Sequence, residues 1–481
     1  MKAMAIGVAL ALLAAGCLTA VQKAPAQDVS DAAAPDEGSD PGVSWDVPGD
    51  SAQPADTSGD PGTPDEVIIP TDGAVSDQAQ PDDVVPIDIA PEEVEPDCGF
   101  QITSFAVQDD RTHLRVGETA HVTATTNPAT SVTLSFTADG VPDGAVFSDD
   151  GNGTCHLVVN DQTIKSRTAA VTITLHAKRL DCEDVRSVSV KVVGTVWATE
   201  IDRDVVQVFR SDGKFLAQGI PSGKTDDPWS LLELGPGRIL VGSRHQVEAE
   251  VYDLDQDYLY PFDTKDGDGN DLYSSIYGAF TAIRHQPDGL VWVGGPPDRI
   301  IAYADDGVAD KGRYKATLYL DTGDLNSTTR ESLVQFGNGK TAVVNAMSAP
   351  WSMFLLAANG DLDQASYGDN SDELKLIVRQ AALAGAGDML AVGGYIQQSG
   401  YVAILNQGGT KVKASAPFPD FIPQFGIVAF GEGFLAATDY ENGKIVDSLV
   451  YLDSDLVPQE DPVFSGTKTG AYRGLMVLGG N

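Results

Sequence analysis

The sequence predicts an all-β chain, with one β-sandwich followed by a six-bladed β-propeller, carried behind an export signal and a long polar linker. Three observations predict it. From residue 98 onward, short apolar runs recur with Gly, Asp, Asn and Pro turn signals between them. From residue 194 the strand pattern repeats six times. Before residue 98 the composition changes abruptly to acids and proline. The 481 residues carry 70 Asp+Glu against 31 Lys+Arg, a formal net charge of −39. That balance excludes nucleic acid as a partner, because phosphate binding depends on clustered Lys and Arg that release counterions. No apolar run reaches the ~18–20 residues needed to span a bilayer.

Residues 1–16 read as an export signal. Lys2 supplies a one-charge n-region, and Ala3 to Ala15 form an h-region too short to cross a membrane. Small residues then lead to a cysteine in Leu13-Ala14-Ala15-Gly16-Cys17. This segment resembles the lipobox of bacterial lipoproteins, with Ala14 where Leu is commonest. The resemblance implies lipidation at Cys17 after cleavage. Leu18 in place of Asp implies onward transport to a Gram-negative outer membrane. Acyl chains at about 0.8 kcal/mol per buried CH₂ would hold the protein on the bilayer without a spanning helix.

Residues 17–97 read as the lipidated cysteine and its tether. From 18 to 97 there are 20 acids against the single base Lys23, and 12 of the chain's 27 prolines. Such a segment buries too little apolar surface to offset its ordering entropy, so disorder is expected. Flexible-coil scaling separates its ends by roughly 50 Å, more with proline and charge repulsion. Taking away this net −19 and the charge of Lys2 leaves −21 for residues 98–481.

Residues 98–193 read as one antiparallel sandwich, with strands at Ile102–Val107, Ala120–Ala124, Val132–Phe136, Cys155–Val159, Ala169–Leu175 and Val188–Val193. The stretch Pro142-Asp-Gly-Ala-Val-Phe147 followed by Gly151-Asn-Gly-Thr154 resembles the signature of bacterial immunoglobulin-like and cadherin-like repeats. It brackets a strand whose Phe147 points to the core, and the family implies a spacer or adhesive module without catalytic residues. In an exported protein the cysteines can oxidise. Cys98 opens the first strand and Cys182 lies in the last hairpin, places that share one end of an immunoglobulin-like sandwich. The resemblance therefore implies a Cys98–Cys182 disulfide, with Cys155 a buried free thiol. A catalytic Cys155 would have only the adjacent His156 as its acid–base partner.

In residues 194–481 a strand of small and apolar residues recurs as Val196-Trp-Ala-Thr199, Ile239-Leu-Val-Gly242, Val291-Trp-Val-Gly294, Ala342-Val-Val-Asn345, Leu390-Ala-Val-Gly393 and Leu435-Ala-Ala-Thr438. The steps between their second residues are 43, 52, 51, 48 and 45. A further apolar strand and a tight turn such as Ser211-Asp-Gly213 or Asn359-Gly360 follow most of them. Four strands per ~48 residues make a propeller blade. Arg473-Gly-Leu-Met-Val-Leu-Gly-Gly480 matches an inner strand without successors, so one blade is shared between the chain ends and the ring has no free edge. The pattern resembles six-bladed propellers of the NHL and strictosidine-synthase-like type.

With this strand order the short turns share one face, and the longer loops share the face where the inner strands begin. Loops on a rigid scaffold are where binding residues concentrate. The candidate binding face comprises Arg203, Trp229, Arg244, His245, Glu331, Tyr395, Asp439, Tyr440 and Arg473. No metal site is expected. Asp266, Asp268 and Asn270 are the weak candidates, yet an EF-hand would need Gly and Glu where Asp271 and Tyr277 stand. Asp253-Leu-Asp255-Gln-Asp257 has alternate acids, but turn chemistry explains it more simply. His285 lies in the turn-forming Arg-His-Gln-Pro-Asp-Gly and is expected to be solvated, whereas His245 on the loop face could titrate as an acid–base group. No Gly-Lys-Ser/Thr phosphate loop or Gly-x-Ser-x-Gly nucleophile motif is present, and no cofactor is expected. The expected role is non-catalytic recognition of a protein, peptide or glycan at the cell envelope. Its rivals are a lactonase-like, metal-dependent hydrolase or lyase working in the channel, and a structural subunit of an envelope assembly.

Overall fold

The computed structural model describes residues 99–129, 131–235, 237–243, 249–262, 281–294, 299–304, 313–319, 330–345, 353–364, 377–384, 389–396, 399–418, 422–439, 449–464 and 472–480. They form eight four-stranded sheets, two in a sandwich and six in a propeller. Both belong to one compact unit, Ile89–Asn481.

The sandwich strands are β1 (Gln101–Val107), β2 (His113–Leu114), β3 (Thr119–Asn127), β4 (Thr133–Asp139), β5 (Ala145–Gly151), β6 (Thr154–Val159), β7 (Ala169–Arg179) and β8 (Cys182–Val192). One sheet has the order β1-β3-β6-β5 and the other β2-β8-β7-β4, with β2 parallel to β8. Alternate residues face inward, as a sheet with one solvated side requires. Val122, Leu157, Ile173, Leu175 and Val190 are fully buried between the sheets, and Phe147 packs on this core while only partly buried. The β5–β6 hairpin turns through Asn152 and Gly153, both at positive φ. A Cβ on Gly153 would lie 2.6 Å from the Ala124 carbonyl oxygen, so only glycine fits there.

Cys182 is disulfide-bonded, and its partner lies outside the described residues. Cys155 is a free, buried thiol. Burial, reinforced by the charges of Asp149 and Asp150, pushes its pKa up to about 12. Since the thiolate is the reactive species, alkylation with iodoacetamide should label Cys155 only after unfolding, as peptide mass spectrometry would show. Labelling of the native protein at neutral pH would contradict the buried placement.

The six propeller sheets follow the predicted repeat. Blade 1 takes Val196–Glu200, Val205–Phe209 and Phe215–Ile220 from the start of the domain and Tyr472–Val477 from its end. Blades 2 to 6 begin with the inner strands Pro228–Gly235, Thr281–Arg284, Arg330–Gln335, Ile377–Ala384 and Ile422–Phe430. Each inner strand packs on the next, and Tyr472–Val477 packs on both Ile422–Phe430 and Pro228–Gly235, which closes the ring. The middle strands are mostly apolar because blades cover both of their faces, with buried polar residues such as Glu200 and Gln207 as exceptions. Trp197, Trp292, Tyr303 and Phe262 are buried between blades. Asp253 caps its turn, its Oδ1 accepting from the N–H groups of Asp255 and Asp257 at 2.9 Å each, and Asp453 and Asn406 do the same in blades 6 and 5. The alternate acids at 253–257 are thus turn chemistry.

The sandwich docks on the short-turn face of the propeller, touching blades 6, 1 and 2. The Thr168 N–H donates to the Leu478 carbonyl at 2.8 Å, and the Val116 N–H to Ser211 Oγ at 2.9 Å. Arg210 pairs with Asp161 at 2.9 Å, Lys165 with Asp255, and the Arg115 guanidinium lies 5.1 Å from the centre of the Tyr451 ring. Gln162, 5% exposed, is the central tie. Its amide donates to the Val193 carbonyl and its Oε1 accepts from the Ser211 N–H. Gln162→Ala would orphan two buried backbone groups, which cost about 1–3 kcal/mol each. We expect the variant to lower the melting temperature of the full chain, measured by calorimetry. An unchanged melt would mean that the two domains are not tied through this residue.

A second tie sits at the rim. Glu432 Oε1 accepts from the Thr112 hydroxyl at 2.6 Å and its N–H at 2.9 Å, with His113 Nδ1 at 3.2 Å. Burial raises the Glu432 pKa, but these hydrogen bonds outweigh it and hold the carboxyl below its ordinary value. A depressed pKa gives stability that is present above the unfolded value near ~4.3 and is lost as pH falls through the folded value. Glu432→Gln should therefore destabilise the chain at pH 7 by less than about 1 kcal/mol, since the group is half-exposed. Its deficit should vanish in the acid limb of a stability–pH profile. A deficit that persists unchanged at pH 3 would contradict this assignment.

Candidate binding channel

The inner strands enclose a channel of about 1250 Å³ running from the long-loop face to the short-turn face. Trp229, Thr281, Ser332 and Arg473 lie near the starts of their strands and mark the upper mouth. Arg284, Arg238, Gln286 and Asn338 lie at the opposite end. The middle is walled by apolar side chains such as Ile283, Leu333, Ala382 and Val428. The sandwich reaches the lower end through Arg167, which pairs with Glu233. The second oxygen of Glu233 accepts from the Gly479 N–H at 3.0 Å.

Among the residues expected on the binding face, the structure brings Trp229 and Arg473 together. Both are 8% exposed, with the guanidinium 5.7 Å from the indole centre and Nη1 donating to the Tyr472 carbonyl at 3.0 Å. This cation–π contact desolvates a positive charge at the channel wall. Arg203 lies apart, in the loop after Val196–Glu200, where its Nε is 3.1 Å from the fully buried carboxylate of Glu200. Gln207 also donates to Glu200, and the Tyr472 hydroxyl donates to Gln207 Oε1 at 3.2 Å. The Asp204 carboxylate, accepting from the Asp227 N–H at 2.8 Å, braces this loop against the next. Tyr395 stands on blade 5, near the tip of the hairpin Met389–Asn406.

Arg244, His245 and Tyr440 lie outside the described residues, as do Asp266, Asp268, Asn270, Cys17 and Cys98. So do the side chains of Glu331 and Asp439, whose backbones end or enter strands. His285 corrects an expectation. It is fully buried rather than solvated, with its ring stacked on Trp292 at 3.7 Å between centres and Asp288 Oδ1 2.9 Å from Nδ1. The turn closes through His285 N–H to the Leu290 carbonyl and folds the ring back on the next strand. Among the described residues, no group of three His, Cys, Asp or Glu side chains is placed to hold a metal ion.

Sequence reasoning passed over Glu233, Arg238, Arg284 and the buried Glu200–Gln207–Tyr472 cluster. The available signal was an arginine just before or after the inner turn, in Gly235-Pro-Gly-Arg238 and Arg284-His-Gln-Pro.

No protein-family model matches the chain, and no curated protein matches it. Solved structures are similar at a low level. A protein of unknown function from Bacteroides caccae is 16% identical over 60% of this chain and 99% of its own, with a TM-score of 0.41. A quinonprotein alcohol dehydrogenase-like protein from Bacteroides thetaiotaomicron is 11% identical over 76% and 96%, with a TM-score of 0.37. Virginiamycin B lyase from Staphylococcus aureus is 13% identical over 63% and 96%, with a TM-score of 0.36. Likeness at this level assigns no activity to the chain.

Proposed function

We propose that the protein is an outer-membrane lipoprotein, anchored through Cys17, that presents its propeller for non-catalytic recognition of a protein, peptide or glycan. The sandwich order β1-β3-β6-β5 with β2-β8-β7-β4 supports reading that module as immunoglobulin-like. The observation that carries the proposal is the docking geometry. The sandwich occupies the short-turn face through backbone hydrogen bonds and the buried Gln162, while the mouth with Trp229 and Arg473 opens on the other side. A module fixed in this way acts as a pedestal that orients the loop face.

Two measurements test the reading. Cys17→Ala should move the protein from the detergent phase to the aqueous phase of cell fractions; retention in the detergent phase overturns the anchor. A photo-crosslinking residue placed at Arg203 or Tyr395 should give a defined adduct in intact cells, and one at the exposed outer-strand residue Leu362 should not. Equal yields at all three positions overturn recognition by the loop face.

A further inference from the structure

The chain has six histidines, and two of them meet on the outer face of the sandwich. His121 on β3 is the register partner of His156 on β6, directly opposite it on an antiparallel strand. Their ring centres are 6.1 Å apart, with the planes inclined at 46°. Side chains alternate along a strand, so the neighbouring Val122 and Cys155 point into the core and both imidazoles stand on the solvent side. The buried Cys155 thiol therefore takes no part in what this pair can do. His176, on the other sheet, faces Ser135 and Val185 instead of a second histidine.

The two rings are prepared differently. His156 Nδ1 lies 2.8 Å from the Asp150 carboxylate. An ionised carboxylate only accepts, so Nδ1 carries the proton and Nε2 keeps its lone pair. A carboxylate behind an imidazole in this way fixes its tautomer and ring orientation and raises its basicity as a metal ligand. The neighbouring Asp149 has a different task, since its two oxygens accept from the Phe136 and Gly151 N–H groups. His121 is exposed and, among the described residues, makes no hydrogen bond or ion pair, so its ring can turn without breaking a contact of that kind. Two imidazoles that share one ion through bonds of about 2.0–2.1 Å have ring centres roughly 4.5–5.5 Å apart, so a shift of about 1 Å in His121 brings both nitrogens onto one ion.

We infer that His121 and His156 form an open site for a divalent transition metal, with Asp150 as the positioning residue and water in the remaining positions. Imidazole nitrogen suits copper, nickel and zinc, and affinity at such a site peaks at Cu²⁺. Hard Ca²⁺ takes oxygen ligands and is not expected here. Two protein ligands make an exchangeable site rather than a closed structural one. The pair belongs to the sandwich, so this inference is independent of what the propeller recognises.

The test is calorimetric titration of the full chain with Cu²⁺ and Zn²⁺ in a weakly coordinating buffer, joined to electron paramagnetic resonance of the chain loaded with one equivalent of Cu²⁺. We expect one site that binds Cu²⁺ tighter than Zn²⁺, that excess Ca²⁺ does not displace, and whose spectrum shows two nitrogen ligands. His121→Gln and His156→Gln should each remove one nitrogen from the spectrum and weaken Cu²⁺ binding. Asp150→Asn should weaken binding about tenfold, the loss usual when a carboxylate behind an imidazole ligand is removed, while both nitrogens stay in the spectrum. His176→Gln, which alters a histidine paired with Glu183, should leave binding and spectrum unchanged. To avoid reliance on substitutions, the unaltered chain is also treated with diethyl pyrocarbonate and mapped by mass spectrometry. Cu²⁺ should protect His121 and His156 and leave His176 reactive. Absence of Cu²⁺ binding, displacement by Ca²⁺, a spectrum unchanged in the folded His121→Gln and His156→Gln variants, or equal modification with and without Cu²⁺ overturns the inference.

Discussion

Deleting residues 472–481 will abolish the cooperative unfolding of the propeller. The strand Tyr472–Val477 is the inner strand of blade 1, in register with Val196–Glu200 through Met476 opposite Trp197 and Val477 opposite Val196. Its removal exposes that ladder and breaks the packing of the inner ring on both sides. Tyr472, Met476, Val477 and Leu478 are all buried, in the two clusters that flank blade 1. At about 1.5–3 kcal/mol for each large apolar side chain, their loss is comparable to the ~5–15 kcal/mol that holds a whole domain together. The deletion also removes the Leu478 carbonyl that accepts from Thr168, so the sandwich loses part of its seat. Calorimetry of the full chain against the truncated one checks this, with removal of Asn481 alone as the control. A truncated chain that still melts sharply within a few degrees of the parent would mean that the ring does not depend on its closing strand.

That closure was legible in the sequence because the middle strands of a blade are covered on both faces. They read as short continuous apolar runs, and Ile239–Gly242, Val291–Gly294 and Leu435–Thr438 all fall within observed strands. A strand pattern without successors at Arg473 then pointed to its partner at Val196. The contact between sandwich and propeller was not legible. The loop Asn160-Asp-Gln-Thr-Ile-Lys-Ser-Arg-Thr168 is polar and reads as solvated, and only the fold shows that Gln162 is buried against Ser211 and Val193. His285 misled for the same reason, since a turn-forming sequence reports local backbone chemistry and not which ring folds over it. Of the channel lining, Trp229 and Arg473 were singled out because they lie near the starts of inner strands. Arg284 and Arg238 were not singled out because they sit beside short turns, on the face opposite the longer loops.

Gly474→Val is expected to cost about 3 kcal/mol, at or above the top of the usual range for overpacking. A Cβ at this position would lie 2.7 Å from both the Ser230 Cα and the Trp229 carbonyl oxygen, which are backbone atoms of the neighbouring inner strand. Backbone in a closed ring cannot swing aside as the end of a side chain can. The Gly474 N–H also donates to Thr199 Oγ1 at 2.7 Å, so the strand is held from its other side. For a domain of this size the cost corresponds to a fall of roughly 6–12 °C in melting temperature. Gly117→Ala supplies the contrast. Gly117 sits at φ +86° with nothing within 4 Å of a built Cβ, so that substitution meets strain without a clash and should cost about 1–2 kcal/mol. If Gly474→Val melts no lower than Gly117→Ala, close approach of the inner strands is not what fixes the width of the channel. If it melts far lower, the glycine is what lets the two inner strands approach, and it holds the Trp229 carbonyl, and with it the Trp229–Arg473 pair, in place.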